Sequence, residues 1–184
     1  KAAKKLDKTV MGELPVLKLE RAQFQTSIRS DASNRTPLGV DAVEFTAATN
    51  PGAAFTAIQK TASGGELSRF LLALKVFLSW GNAGLTLIFD EIDRGVGGAT
   101  ADAVGRRLAD LAKGGQVLVV THSPQVAALG GHHWRVEKRQ TKTETLSTVT
   151  PLDADARIDE IARMLSGDTI TEAARAAARA LMPS

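Results

Sequence analysis

Hydrophobic residues recur every four positions at the start of the chain, at Leu6, Val10 and Leu14, with lysines between them. This spacing brings the apolar side chains to one face of a helix. The pattern therefore predicts a helix over residues 1–14. Because the pattern is already helical at the first printed residue, we expect this helix to be the end of a longer one and the chain to be a fragment.

Short runs in which apolar and polar residues alternate follow this helix, and they predict antiparallel strands. Turn-forming residues from Ser30 to Gly39 and from Asn50 to Gly52 bound the last of these runs. The predicted strands are Val16–Glu20, Gln23–Arg29 and Ala42–Ala47.

From Ser63 onward helical and strand patterns alternate, which is typical of α/β folds. Two strands are apolar throughout, so we expect them to be buried on both faces in a parallel sheet that helices cover. The predicted elements are helix Glu66–Trp80, strand Leu85–Phe89, helix Ala99–Lys113, strand Gln116–Val120, helix Pro124–Leu129, a hairpin from His133 to Val149, and helices Asp153–Leu165 and Thr169–Leu181.

Composition limits the classes of protein to consider. The 184 residues are 43% hydrophobic and 4% aromatic, which is enough for one largely aliphatic core. The absence of cysteine excludes disulfides, thiolate zinc sites and cysteine nucleophiles, and it suits a cytoplasmic protein. No apolar run reaches the ~20 residues that cross a bilayer, so we predict no membrane association. The net charge of +3 is compatible with nucleic acid without identifying it as a ligand.

The first candidate site is the string Ser63-Gly64-Gly65-Glu66 at a predicted helix start. Ser63 and Glu66 have the spacing of a capping box, which is a purely structural interpretation. That interpretation leaves the two glycines unexplained, because glycine weakens a helix. Bare amides at the positive end of a helix can instead bind a phosphate. Both interpretations remain open at this point.

The second candidate site is the acidic pair Asp90-Glu91, which ends a buried strand. Open α/β sheets bind ligands at the carboxyl ends of their strands. There Asp90 could hold Mg²⁺, and Glu91 could orient and deprotonate a water molecule. The structural alternative is that Asp90 only caps the following loop.

His122 follows the second apolar strand, where a histidine is also common as a hydrogen-bonded structural residue. His132 and His133 could be combined with it as zinc ligands, but adjacent strand residues face opposite ways and no fourth ligand is evident, so we reject a zinc site. The sequence also lacks a Gly-x-x-x-x-Gly-Lys-Ser/Thr loop, so we expect no ATP binding of the P-loop kind by this chain alone.

Taken in order, these strings resemble the C-terminal half of an ABC-type ATPase head. Ser63–Glu66 resembles the signature motif, Asp90-Glu91 the Walker B pair, Asp93–Gly98 the D-loop and His122 the switch histidine. Transporters of this class usually carry glutamine where this chain has Glu66. The glutamate form, and the longer strings around each motif, are similar to the SMC-like branch that acts in chromosome maintenance and double-strand-break repair.

The resemblance implies an α/β fold that is the C-terminal lobe of an ABC-type ATPase head, with a mainly parallel sheet, flanking helices and short antiparallel strands. Residues 1–14 would end a returning coiled-coil helix, and residues 15–184 would form the half-head. The implied partners are an N-terminal P-loop lobe of the same protein, a second head in an ATP-bound homodimer, and DNA. The implied location is the cytoplasm, at the nucleoid.

The resemblance also implies residue roles. Ser63, Gly64 and Gly65 would donate hydrogen bonds to the phosphate of ATP across the dimer, and Glu66 would belong to the same ATP-binding motif. Asp90 would hold Mg²⁺ through water, Glu91 would activate the hydrolytic water, and His122 would sense the γ-phosphate. The fragment alone would be inactive. Two alternatives remain, a fragment of a transporter's nucleotide-binding subunit and a non-catalytic dimerisation module.

Overall fold

A computed structural model describes residues 1–33, 35–61, 63–79, 84–140 and 144–183. In chain order the elements are α1 (Ala2–Glu13), β1 (Gln23–Ser30), β2 (Asp41–Ala48), β3 (Thr56–Ala57), α2 (Ile58–Thr61), α3 (Gly64–Ser79), β4 (Thr86–Asp90), α4 (Gly98–Ala112), β5 (Gln116–Val120), α5 (Pro124–Ala128), β6 (Trp134–Gln140), β7 (Thr145–Pro151), α6 (Ala154–Ser166) and α7 (Glu172–Leu181). Some positions of the predicted elements lie outside the described residues. They are Asn34 in the predicted turn, Ala62 just before the Ser63 string, Trp80 at the predicted helix end, residues 141–143 in the predicted hairpin and Ser184 in the predicted domain.

The described strands form one parallel pair and two antiparallel groups. β4 and β5 run parallel, β1, β2 and β3 form an antiparallel sheet in that order, and β6 and β7 form an antiparallel hairpin. The predicted α/β class, with both parallel and antiparallel strands, is confirmed. None of the described helices combines the length and apolar character that a membrane span needs.

The main core lies where α1, α3, α4 and the inner face of β4 and β5 meet. Val10 and Leu14 of the predicted amphipathic helix are at most 1% exposed, and Phe70 and Phe89 are buried beside them in the same cluster. The lysines at positions 4, 5 and 8 are exposed on the opposite face of α1. The four-residue repeat therefore predicted the buried face of α1 correctly.

The predicted strand Val16–Glu20 is wrong, because this segment is a series of turns. The amide of Leu17 donates to the carbonyl of Glu13 at 3.2 Å, and the amide of Leu19 donates to that of Leu14 at 2.8 Å. Lys18 has a φ of 59°, a left-handed conformation that a strand cannot contain. Leu17 and Leu19 alternate with polar residues, as apolar residues do in a strand. Here, however, a turn buries both of them.

The expectation that β4 and β5 are buried on both faces is also wrong for the described residues. Leu87, Phe89, Val117 and Val119 face the core. On the other face Ile88 is 62% exposed and Val120 is 51% exposed. The helices of this chain cover one face of the parallel pair, and the apolar residues of the other face have no cover within the described part of the chain.

A second, smaller core joins the last two helices to α5. Ala128, Ile161, Ala162, Ala174 and Ala178 form it. Arg157 of α6 caps the C-terminal end of α5 by donating to the carbonyl of Ala128 at 2.7 Å and to that of Gly130, and burial lowers the pKa of this guanidinium. Arg157 thereby attaches α5, the helix that follows His122, to α6.

The caps of these helices follow the expected chemistry with one correction. Asp153 accepts from the amide of Ala156 at 2.9 Å at the start of α6. The last helix was predicted to begin at Thr169, but α7 begins at Glu172, and its cap is Thr171, which accepts from the amide of Ala174 at 3.1 Å. The Thr169 carbonyl instead accepts from the Ser166 hydroxyl.

Candidate functional site

The acidic pair lies at the carboxyl edge of the parallel strands, as the sequence predicts. Asp90 ends β4 opposite Val120 of β5. The amide of Glu91 donates to the carbonyl of Val120 at 3.0 Å, which fixes the two chain exits side by side. His122 leaves β5 at this same edge. The fold therefore brings together the second and third candidate sites, which lie about thirty positions apart in the sequence.

Glu91 is held between two basic side chains. One carboxylate oxygen lies 3.5 Å from His122 Nε2, and the other lies 3.4 Å from Arg94 Nη1. The side chains of His122 and Arg94 are 86% and 82% exposed, so these contacts add little to stability. Their importance is geometric: the carboxylate and the imidazole lie close enough together to contact the same small group in the solvent.

The backbone at Glu91 is unusual, because its φ is 48°. A left-handed conformation is uncommon for a residue with a side chain and points to a local constraint. The amide of Arg94 donates to the carbonyl of Glu91 at 3.0 Å, which closes a tight turn directly after β4. This turn orients the carboxylate away from the strand and toward His122.

The helix start at Ser63 forms the capping box that the sequence allows. The Ser63 amide donates to a Glu66 carboxylate oxygen at 3.0 Å, and the Glu66 amide donates to the Ser63 hydroxyl at 3.4 Å. Both side chains are accessible at this end of α3. The structural interpretation is therefore correct, and it leaves the role of the two glycines to be explained.

The two glycines have different surroundings. A Cβ atom added at Gly64 would meet nothing within 4 Å, so the helix start is open there. A Cβ atom added at Gly65 would lie 3.0 Å from Val96 Cγ1 and 3.2 Å from the carbonyl oxygen of Arg94. Gly65 thus allows the helix start to pack against the loop that carries Glu91, and this contact joins the first candidate site to the other two.

Arg69 is a residue of the site region to which the sequence assigned no role. It is 9% exposed and donates to the carbonyls of Leu17 and Lys18, both at 3.2 Å. Burial lowers the pKa of its guanidinium, and the charge of Glu66 opposes that effect. Arg69 thereby ties the helix that begins at the glycines to the turn after α1. The sequence does not predict this long-range contact, because a single arginine in a largely polar segment is expected to be exposed.

The donor chemistry at the sheet edge suits magnesium better than a transition metal. The described residues contain no group of three or more His, Asp or Glu side chains that could hold a metal ion. Magnesium, however, is usually held by one or two carboxylates together with waters and substrate phosphates. Asp90, an exposed carboxylate at the end of β4, fits that limited role.

Comparison with known proteins relates nearly the whole length of the chain to DNA repair proteins. No protein-family model matches the chain. It is 47% identical over 181 residues to the DNA repair protein RecN of Rickettsia bellii, a match that covers 98% of this chain and 33% of that protein. It is 44% identical over 180 residues to RecN of Vibrio cholerae, covering 98% of this chain and 32% of that protein. The chain thus spans about a third of the length of the curated relatives it matches.

Solved structures with the same fold are heads of SMC proteins. The Smc head domain with a coiled coil and joint from Pyrococcus yayanosii matches with a TM-score of 0.67 and 18% identity, over 86% of this chain and 28% of that one. A chain from a study of ATP-driven dimerization and DNA stimulated activation of SMC ATPases matches with a TM-score of 0.64 and 17% identity, over 91% of this chain and 96% of that one. The chain therefore has the fold of an SMC-type head lobe and belongs to the family of the bacterial DNA repair protein RecN.

Proposed function

We propose that this chain is the C-terminal half of the ATPase head of an SMC-like protein of double-strand-break repair. It supplies the signature motif, the Walker B pair and the switch histidine for ATP-dependent head dimerisation and ATP hydrolysis. The observation that supports this best is the continuity of the site: Gly65 packs against the loop of Glu91, and Glu91 lies 3.5 Å from His122.

The proposed reaction is hydrolysis of the bond between the β- and γ-phosphates. The Glu91 carboxylate accepts a proton from a water molecule as the water oxygen attacks the γ-phosphorus, and ADP leaves with the bridging oxygen. His122 contacts the γ-phosphate, and Asp90 would hold Mg²⁺ through water. When bound, Mg²⁺ neutralises the charge of the phosphates. Ser63, Gly64 and Gly65 donate to the phosphate of an ATP bound by the opposite head.

The uncovered face of the parallel strands supports a P-loop lobe as the first partner. Ile88 and Val120 are exposed there, and Val136 and Val149 of the β6–β7 hairpin are 63% and 62% exposed. Parallel strands are normally covered on both faces. We infer that a P-loop lobe of the same protein covers them, that residues 1–14 end a returning coiled-coil helix, and that residues 15–184 complete the head.

DNA is the proposed macromolecular ligand, and the proposed location is the cytoplasm at the nucleoid. The support is the name of the relatives, which are DNA repair proteins, and the DNA stimulated activation stated for the SMC ATPases that share the fold. The exposed lysines of α1 could contact phosphates, but a solvated lysine face is the commoner outcome on a helix.

The proposed function is tested by assembling the chain with a RecN P-loop lobe and measuring phosphate release with and without linear duplex DNA. We expect turnover that rises severalfold when DNA is added. Turnover that is indifferent to DNA would favour a transporter subunit. Dimers that form without nucleotide and release no phosphate would favour a non-catalytic dimerisation module.

A further inference from the structure

The loops that follow β4 and β5 are cross-linked by a pair of side chains outside the roles described above. The hydroxyl of Thr121 donates to Oδ2 of Asp93. Asp93 is 6% exposed, although it lies in a loop at the sheet edge. A carboxylate is costly to bury unless it is hydrogen-bonded, and the Thr121 hydroxyl provides that bond.

The same hydroxyl also fixes the residue after His122. Thr121 Oγ1 accepts from the amide of Ser123 at 2.9 Å while it donates to Asp93. The residues on both sides of His122 are therefore held by one oxygen atom. The His122 side chain is 86% exposed, so its position depends on this backbone anchor and not on packing around the imidazole.

A backbone hydrogen bond holds the Asp93 side of the link as well. The amide of Val96 donates to the carbonyl of Asp93 at 3.2 Å, within the turn that begins at Glu91. Val96 is also the residue that approaches Gly65. A displacement of Asp93 would consequently disturb Glu91 on one side and the contact with Gly65 on the other.

We propose that Asp93 and Thr121 are a positioning pair that sets His122 at its working distance from Glu91. This inference rests on the proposed function, since Glu91 and His122 are its reacting groups. In this proposal neither member of the pair has to contact the nucleotide. Their effect passes through the backbone of residues 121–123.

The test is the Thr121→Val variant in the head assembled from this chain and a RecN P-loop lobe. Valine keeps the shape of threonine and removes both the donor to Asp93 and the acceptor of the Ser123 amide. We expect kcat to fall roughly tenfold to a hundredfold, the size of loss that misplaced catalytic groups produce, with little change in KM for ATP. Thr121→Ser, which restores the hydroxyl, should recover most of the loss.

The matched control is Thr46→Val, which removes the hydroxyl of a second threonine that donates to an oxygen atom within the chain. Thr46 is 7% exposed and donates to the carbonyl of Gln25 at 2.9 Å in the separate β1–β2 sheet. We expect this variant to keep the kcat of the parent. An equal loss of kcat in both variants would mean that the effect comes from stability and would overturn the inference.

A double variant decides whether the pair acts through His122. Adding Thr121→Val to His122→Ala should cause no further loss of kcat, because the group being positioned is already absent. Additive losses, or a parental kcat for Thr121→Val, would overturn the inference. A normal rate for Glu91→Gln in the same assembly would instead overturn the proposed function, so the two failures are distinct.

Discussion

Replacing Glu91 with glutamine is expected to stop ATP hydrolysis by the assembled head and to leave nucleotide-dependent pairing of heads intact. Glutamine has nearly the same shape, but its amide cannot accept the proton of the attacking water. Loss of a general base costs about 10²- to 10⁴-fold in rate, so we expect kcat to fall by at least about a hundredfold. Phosphate release measures the first effect, and sedimentation of heads with ATP measures the second.

The control for this variant is Asp110→Asn, which also converts a carboxylate to an amide. Asp110 pairs with Lys113 three residues along α4 at 2.7 Å, just as Glu91 pairs with Arg94 three residues along its loop. Both pairs are exposed, so loss of either changes stability little. Turnover should survive in Asp110→Asn. Parental turnover in Glu91→Gln would show that another group accepts the proton.

The second large effect is expected for Gly64→Ala, which should weaken phosphate binding without lowering the stability of the fold. A Cβ atom there meets nothing within 4 Å in the chain. Alanine also favours the helix, by up to ~1 kcal/mol relative to glycine. The free energy of unfolding in urea should therefore stay the same or rise. ATP-dependent pairing of assembled heads should nevertheless weaken at least about tenfold, the equivalent of ~1.4 kcal/mol, because the methyl group occupies the approach of the phosphate.

Gly65→Ala is the matched variant with the opposite expectation. Its Cβ would lie 3.0 Å from Val96 Cγ1 and 3.2 Å from the Arg94 carbonyl oxygen, so the loop must move. Overpacking of this kind costs about 1–3 kcal/mol, and we expect Gly65→Ala to lower the free energy of unfolding of the chain itself. If Gly64→Ala destabilised the chain as much, or if it left pairing unaffected, the phosphate role of this helix start would be wrong.

The local geometry around the candidate site residues could be predicted from the sequence because it involves near neighbours in the chain. Ser63 and Glu66 form their capping box three positions apart, and Asp90 and Glu91 follow directly from an apolar strand. The contact of Glu91 with His122 could be expected only in general terms, from the shared edge of parallel strands. The contact of Arg94 with Glu91 could not be predicted from the sequence, because exposed arginines are common in loops.

The errors in the predicted fold have a common physical cause, which is that one pattern can arise in two ways. Leu17 and Leu19 alternate with polar residues as in a strand, yet a turn buries both. Ile88 and Val120 are apolar as in a doubly covered sheet, yet no described part of the chain covers them. Long-range links, such as Arg69 to Leu17 and Thr121 to Asp93, depend on tertiary packing that no local pattern encodes.

The most direct measurement is the rate of ATP hydrolysis by the isolated chain and by the same chain after a P-loop lobe is added. The acids and amides of this chain have no loop of their own to hold a triphosphate. We expect no turnover above background from the chain alone, and turnover after the lobe is added. Hydrolysis by the unassisted chain at the rate of the assembly would contradict the composite site.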